Sequence, residues 1–166
     1  MLLKPTVKLD RVTDLNTAVC RKYGLRALIL DVDNTLSTHH GQTLTDGLEE
    51  WLNKRQAEGI RLIILSNSKQ ERVAPFAERI GLKYISTGLK PLPFRFGSAM
   101  RALGCKKKET AIVGDQIFTD VLGGNLAGIK TVLLTPIQPE SGLGFRFKRK
   151  LERLVFKIYG IRNTEE

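Results

Sequence analysis

Short, continuous apolar runs recur along the chain and predict its β-strands. Four of them cover residues 27–30, 62–65, 111–113 and 131–134, and a weaker fifth covers residues 83–86. Strands that are buried on both faces of a parallel sheet have such continuous runs, whereas half-exposed strands alternate apolar and polar positions. The pattern therefore predicts a mainly parallel sheet that is covered on both sides.

Amphipathic segments separate the apolar runs and predict helices. They cover residues 46–59, 70–80, 94–103 and 118–127, and the first places Leu48, Trp51 and Leu52 on one face. Glycines end the first three segments, as they commonly do at helix C-termini. The alternation of strands and helices predicts an α/β fold with three layers, Rossmann-like, around a central mainly parallel sheet.

The length and composition fit one globular domain. The chain has 166 residues, of which 42% are hydrophobic and 27% are charged. Its 27 Lys and Arg against 17 Asp and Glu give a net charge of +10, which favours anionic partners such as phosphorylated substrates, acidic lipid surfaces or nucleic acid.

The same composition bears on the cell compartment. The two cysteines show no CxxC spacing, and the first residues lack the apolar stretch of a signal peptide, so we expect a reducing, cytoplasmic location. No apolar run approaches the roughly 20 residues that span a bilayer. Any membrane contact is therefore expected to be peripheral, on the inner face.

Two acids follow the first predicted strand in the stretch "LILDVDNTLS". Asp31 and Asp33 stand two positions apart, so an extended chain would point both side chains to the same side. Their like charges need an offset, and Mg²⁺ prefers carboxylate oxygens. The spacing therefore indicates a metal site.

Polar side chains also follow the other strands. Ser66 and Asn67 follow the second run, Asp115 follows "AIVG", and Lys90 lies in the loop after the weak strand. Ligands of open α/β sheets bind beyond the carboxyl ends of the strands, so we expect these residues to meet there. His39 and His40 have no matching partner and are assigned to a polar loop.

This set of residues favours phosphoryl transfer from a phosphate monoester. Asp31 is predicted to be the nucleophile, forming an aspartyl-phosphate, and Asp33 the acid and then the base. Mg²⁺ would be held by Asp31, Asp115 and the main-chain carbonyl of Asp33. Ser66 and Lys90 would bind the other phosphoryl oxygens.

Four ordered motifs resemble those of the haloacid dehalogenase-like (HAD) phosphatases. They are "DVDNT", "LSNS", "GLKP" and "GDQIFTD", within residues 26–134. The resemblance implies the HAD fold and functional roles for matching residues: Asp31, Asp33, Thr35, Ser66, Lys90, Asp115 and Asp120. Asp120 is expected to orient Lys90 or metal-bound water, and Asn67 to support the site. More narrowly, "DVDNT" and "GDQIFTDVLGGNLAG" resemble subfamily IIIA and its YqeG-type branch, which is similar to phosphatidylglycerophosphate phosphatases.

The chain leaves no room for a separate cap domain between its motifs, and in the family that it resembles the lack of a cap implies a large or surface-bound substrate. Residues 1–143 are expected to form the phosphatase domain, and residues 144–166 a basic amphipathic helix, either within the same domain or peripheral to it. Its apolar face could pack on the domain, lie on an anionic membrane, or both. Five basic residues are the predicted membrane contacts: Lys148, Arg149, Lys150, Arg153 and Lys157.

Three functions remain open at this point. The first is hydrolysis of an anionic lipid phosphate, with phosphatidylglycerophosphate as the favoured substrate. The second keeps the chemistry but acts on nucleic-acid phosphate ends or soluble phosphate esters. The third is a non-catalytic, basic nucleic-acid-binding module, which the complete set of acids disfavours.

Overall fold

The computed structural model describes residues 1–38, 41–138 and 142–161. His39 and His40, and residues 162–166 of the predicted tail, lie outside the described residues.

A parallel sheet of six strands, in the order β1-β6-β5-β2-β3-β4, forms the centre of the fold. Its strands are β1 (Val7–Leu9), β2 (Ala27–Leu30), β3 (Arg61–Leu65), β4 (Tyr84–Ile85), β5 (Thr110–Gly114) and β6 (Lys130–Leu134). The prediction of a parallel sheet in an α/β fold is confirmed. The central strands are buried along nearly their whole length, which explains why their apolar runs are continuous.

Helices cover both faces of this sheet. They are α1 (Thr17–Lys22), α2 (Leu48–Ala57), α3 (Gln70–Ile80), α4 (Pro93–Leu103), α5 (Leu122–Ala127) and α6 (Leu143–Tyr159). Trp51 of α2 and Phe76 of α3 pack with Leu28 and Leu30 of β2 on one face. Phe96 of α4 packs with Ile29 on the other face, because successive side chains of a strand point to opposite sides.

The N-terminal elements were not predicted from the sequence. β1 has three half-buried residues and lies at the edge of the sheet, where β6 is its one partner among the described strands, so it has no continuous apolar run. α1 has only six residues, and Asn16 caps it by accepting a hydrogen bond from the Val19 amide. The predicted helix 118–127 begins as a π-helical turn, Ile117–Val121, before α5.

The C-terminal helix α6 packs against the sheet domain. Val155 is buried with Ile117, Val121 and Leu133, and Phe156 packs beside them. Between β2 and β3 the described chain forms only a loop and α2, and no described segment forms a separate cap. None of the described helices is both long enough and apolar enough to cross a membrane.

Candidate active site

The carboxyl ends of β2, β3 and β5 bring the polar residues predicted from the sequence to one edge of the sheet. All three strands are parallel neighbours, so the residues that follow them meet. They are buried although they are polar or charged: Asp31, Asp33, Thr35, Ser66, Lys90, Asp115 and Asp120.

Lys90 joins two of the acids. Its Nζ donates to Asp31 Oδ1 at 2.7 Å and to Asp120 Oδ1 at 2.6 Å. The Lys90 side chain is only 2% exposed, and charges removed from water in this way persist only when they are paired. Asp120 thus forms a buried ion pair with Lys90; that it orients the lysine stays a prediction.

A cluster of acids suited to a metal ion surrounds this pair. Asp31, Asp115 and Asp120 each offer a carboxylate oxygen, and these oxygens lie within 4.8 Å of one another. Asp115 Oδ1 is buried and has no hydrogen-bond partner among the described residues. Closely spaced, hard oxygen donors of this kind fit Mg²⁺. Asp120 takes part in the cluster, whereas the Asp33 side chain points to other partners.

Burial and crowding shift the acid–base properties of the cluster. Burial, aided by the charges of Asp120 and Asp33, raises the pKa of Asp31 to about 7 despite the opposing Lys90. Burial also raises the pKa of Asp115, reinforced by Asp31 and Asp120 and opposed by Arg149. Burial alone would lower the pKa of Lys90, but its two carboxylate partners outweigh burial and raise it. The lysine therefore stays charged, and the excess carboxylate charge calls for a cation.

Gly114 allows Asp120 to approach the end of β5. A Cβ atom at position 114 would lie 2.2 Å from Asp120 Oδ2, far inside van der Waals contact. Asp120 Oδ2 instead accepts a hydrogen bond from the Gln116 amide at 3.1 Å. The glycine of "GDQIFTD" is thus required by close packing against a site residue.

Asp33 is held by Ser68, the last residue of "LSNS", and by Arg72, and neither was assigned a role from the sequence. Ser68 Oγ donates to Asp33 Oδ2 at 2.9 Å, and Arg72 Nη2 donates to Oδ1 at 3.0 Å. Arg72 lies in the first turn of α3 and also donates to Ser37 Oγ. The closeness of Arg72 to "LSNS" in sequence is the signal that could have identified it.

Asn67 fixes the main chain of Lys90. Its Oδ1 accepts from the Lys90 amide at 2.7 Å, and its Nδ2 donates to the Lys90 carbonyl at 3.1 Å. Thr87 and Leu89 nearby have positive φ values of 48° and 52°, a strained conformation that often occurs at functional sites. Asn67 therefore supports the loop that directs the lysine inward.

Ser66 and Thr35 lie at the ends of their strands with different surroundings. Ser66 Oγ accepts from the Ser68 amide at 3.1 Å, which leaves its hydroxyl proton available. Thr35 Oγ1 is buried without a partner among the described residues. Asn34, which lies between Asp33 and Thr35, has a positive φ of 59°, and its Oδ1 accepts a hydrogen bond from the Gln138 amide.

Helix α6 contributes to the site, which the sequence did not predict. Arg149 Nη2 donates to Asp115 Oδ2 at 2.8 Å, and Glu152 Oε1 accepts from the Ile117 amide at 3.1 Å. Lys148 Nζ contacts Gln116 Oε1. Of the five predicted membrane contacts, Lys148 and Arg149 therefore face the domain, and the other three are exposed: Lys150, Arg153 and Lys157. Glu152 could have identified the inward-facing side of α6 from the sequence, because it is the one acid among the basic and apolar residues of this helix.

Sequence comparison decides the family of this chain. The sequence model of the haloacid dehalogenase-like hydrolases matches residues 8–128. The chain belongs to this family. A probable phosphatase, YqeG of Bacillus subtilis, is 36% identical to this HAD-like hydrolase over 81% of this chain and 78% of that protein.

More distant relatives and structures are consistent with this HAD-like assignment. Phosphatidylglycerophosphate phosphatase 1 of Arabidopsis thaliana is 24% identical over 92% of this chain, which spans about half (47%) of that relative's length. A HAD family hydrolase from Deinococcus radiodurans has a TM-score of 0.60 at 16% identity, covering 81% of this chain and 96% of that chain. An uncharacterized protein from Listeria monocytogenes has a TM-score of 0.58 at 24% identity, covering 71% of this chain and 85% of that chain. These likenesses confirm the HAD fold.

Proposed function

We propose that this HAD-like hydrolase is a Mg²⁺-dependent phosphatase that acts through an aspartyl-phosphate on Asp31. The observation that carries the proposal is the buried group in which Lys90 bridges Asp31 and Asp120 beside Asp115. Asp31, Asp115 and Asp120 would hold the ion, together with the main-chain carbonyl of Asp33. When bound, Mg²⁺ supplies positive charge that offsets the repulsion between carboxylate and phosphate.

The chain's own residues then divide the reaction into two displacements. A carboxylate oxygen of Asp31 attacks phosphorus while the bond to the leaving oxygen breaks, and Asp33 gives that oxygen its proton. Asp33 next takes a proton from water, whose oxygen attacks phosphorus and releases inorganic phosphate from Asp31. Ser68 and Arg72 fix the direction of the Asp33 side chain. Ser66 and Lys90 bind phosphoryl oxygens as donors.

We infer that the substrate is an anionic lipid phosphate, with phosphatidylglycerophosphate as the favoured compound. The Arabidopsis relative carries that activity in its name, and the absence of a cap among the described residues leaves the strand ends open to a large substrate. The net charge of +10 also favours an anionic surface.

The side of α6 that points away from the domain supports a membrane-bound substrate. Its apolar side chains recur every three or four residues and are 38% to 83% exposed: Leu143, Phe147, Leu151, Leu154 and Ile158. Exposed basic residues lie beside them: Arg146, Lys150, Arg153 and Lys157. We call these nine residues the outer face of α6. An apolar stripe bordered by cations fits the surface of an anionic bilayer.

One edge of the outer face borders the contacts that the same helix makes with the site, because Arg153 lines one cavity with Asp115 and Arg149. Arg149 of this helix contacts Asp115. The helix has 17 residues and extends about 25 Å. A membrane on the outer face would therefore hold the lipid substrate close to the site. Each basic group near an anionic surface contributes on the order of 1 kcal/mol.

Substrate preference tests the lipid assignment. We expect a higher kcat/KM for phosphatidylglycerophosphate in mixed micelles than for glycerol phosphate or a 3′-phosphorylated oligonucleotide, each with Mg²⁺. Equal or lower efficiency on the lipid would refute the lipid assignment and favour the second hydrolase function. Nucleic-acid binding without turnover of any of the three substrates would favour the binding module.

Vesicle binding tests the outer face. Replacing Arg146, Lys150 and Lys157 with Gln should weaken co-sedimentation with anionic vesicles about 100-fold, from roughly 3 kcal/mol. Turnover of an aryl phosphate should not change, because these three side chains are exposed and none has a recorded contact with the site among the described residues.

A matched variant controls for the loss of charge in general. It replaces three exposed lysines elsewhere with Gln: Lys54, Lys83 and Lys107. We expect this control to keep most vesicle binding, and raised salt to weaken the wild type. Equal losses in both variants, or wild-type binding without a preference for anionic vesicles, would contradict a membrane role for the outer face.

A further inference from the structure

The inner side of α6 contacts the loop after β5 through polar side chains. Arg149 Nη1 donates to the Asp115 carbonyl at 3.2 Å and to Glu152 Oε2 at 2.6 Å, while Nη2 donates to Asp115 Oδ2 at 2.8 Å. Glu152, only 3% exposed, also accepts from the Ile117 amide. One helix turn therefore holds both the side chain and the main chain of the loop.

These contacts leave the two oxygens of Asp115 in different states. Oδ2 is occupied by the Arg149 guanidinium, whereas Oδ1 is buried without a partner among the described residues. A carboxylate whose one oxygen is fixed by a charged, planar donor has a defined direction for the other. Asp115 already belongs to the acid cluster with Asp31 and Asp120.

We propose that Arg149 is a positioning residue for the metal ion, because it orients Asp115 as a ligand through Oδ2. The proposal rests on the proposed Mg²⁺-dependent function. It makes α6 part of the catalytic unit, so the active site is built from residues on both sides of the expected boundary at residue 143. Glu152 has the supporting role of fixing the guanidinium of Arg149.

The positive charge of Arg149 should lower metal affinity, whereas its orienting contact with Asp115 should raise it. Mutation can therefore distinguish the two effects. When all three acids are ionised, Asp31, Asp115 and Asp120 carry three negative charges against the two positive charges of Lys90 and Arg149. If repulsion dominated, loss of the arginine charge would strengthen metal binding. If orientation dominates, as we propose, every variant that loses the planar fork binds metal more weakly, even when it keeps the charge.

Direct Mn²⁺ binding to the full chain, measured by electron paramagnetic resonance or calorimetry without substrate, separates the two cases. Arg149→Gln should weaken Mn²⁺ binding about 10- to 100-fold, the usual effect of losing a partner of a metal ligand. Arg149→Lys keeps the charge but loses the fork, and it should also weaken binding at least several-fold. Mg²⁺ competition should show the same order.

Lys150→Gln is the matched control, because it removes one positive charge from the exposed side of the same helix. Its Mn²⁺ affinity should equal that of the wild type. Unchanged or tighter binding by Arg149→Gln, in a variant with a wild-type circular dichroism spectrum and melting temperature, would overturn the proposal. Glu152→Gln should give a smaller loss, and a wild-type affinity there would refute its supporting role.

Failure of the proposed function would look different. A wild type that binds neither Mn²⁺ nor Mg²⁺ would refute the metal-dependent function itself. If the wild type binds metal and Arg149→Gln binds it with equal affinity, the metal-dependent function stands. Only the role of Arg149 is then refuted.

Discussion

Replacing Lys90 with Met should destabilise the metal-free protein strongly. Met fills a similar apolar volume but removes the positive charge that Asp31 and Asp120 both contact directly, at 2.7 Å and 2.6 Å. The side chains of the two acids are 9% and 2% exposed, so water cannot replace the ammonium group. Two buried carboxylates would then face each other and Asp115 without that cation.

The expected loss is about 3–5 kcal/mol in the free energy of unfolding, the usual cost of removing one partner of a buried ion pair. Mg²⁺ should recover part of this loss, since it offsets the same negative charges. Asp120→Asn in the Lys90→Met background should also recover stability, because it removes one of the unpaired charges. The two mutations are therefore expected to be strongly non-additive.

Urea unfolding followed by fluorescence measures this effect, because Trp51 is the one tryptophan of the sequence and is buried in the core. The measurements are made in EDTA and again in saturating Mg²⁺. Lys107→Met, at an exposed lysine, is the control and should change stability by less than about 0.5 kcal/mol. A loss below about 1 kcal/mol for Lys90→Met in EDTA would refute the ion-pair reasoning, and so would equal losses with and without Mg²⁺.

Three further predictions concern the same site. Asp31→Asn should abolish Mg²⁺-dependent release of phosphate from an aryl phosphate while the protein stays folded. Wild-type turnover by this variant would contradict the covalent mechanism. Asp33→Asn should slow turnover by at least about 100-fold, measured as kcat. Burial raises the pKa of Asp31 from 3.8 to about 7, so between pH 3.8 and about 7 the folded state keeps a proton that the unfolded chain releases. In EDTA the free energy of unfolding should therefore fall as the pH rises across that window. Asp31→Asn should flatten this dependence of stability on pH. Gly114→Ala should displace Asp120 and weaken Mn²⁺ binding, since its Cβ would overlap that carboxylate.

The sequence predicted the central sheet well because burial on both faces leaves an unmistakable pattern. Ala27–Leu30 and Arg61–Leu65 consist almost entirely of apolar residues that no other element of this fold would require. Val7–Leu9 pairs along one edge only and is half-buried, so its composition does not differ from that of a loop. Edge strands and short helices take their stability from neighbours that are distant in sequence, and a local pattern does not record those neighbours.

The site was predictable to the extent that strand ends determine it. Asp31, Ser66 and Asp115 follow three parallel neighbours, and parallel strands bring their carboxyl ends to one edge. Arg72 and Arg149 were missed because they reach the site from helices through long side chains. The rotation of a helix about its own axis decides where such a side chain ends, and that rotation depends on the packing of the whole domain.

Helix α6 shows why a hydrophobic pattern alone did not assign its faces. Phe147, Leu154 and Val155 all follow helical spacing, but only Val155 is buried. The side of α6 that faces the domain also carries a buried acid, Glu152, whose carboxylate accepts a hydrogen bond from the Ile117 amide. An apolar stripe that the domain leaves exposed has an energetic cost in water unless another surface covers it. Because Arg149 contacts Asp115 whereas Lys150 and Lys157 are exposed, a change at the outer face and a change at the metal site are separable by mutation. Loss of vesicle binding with normal metal affinity, or the reverse, would therefore identify which side of α6 a given substitution affects.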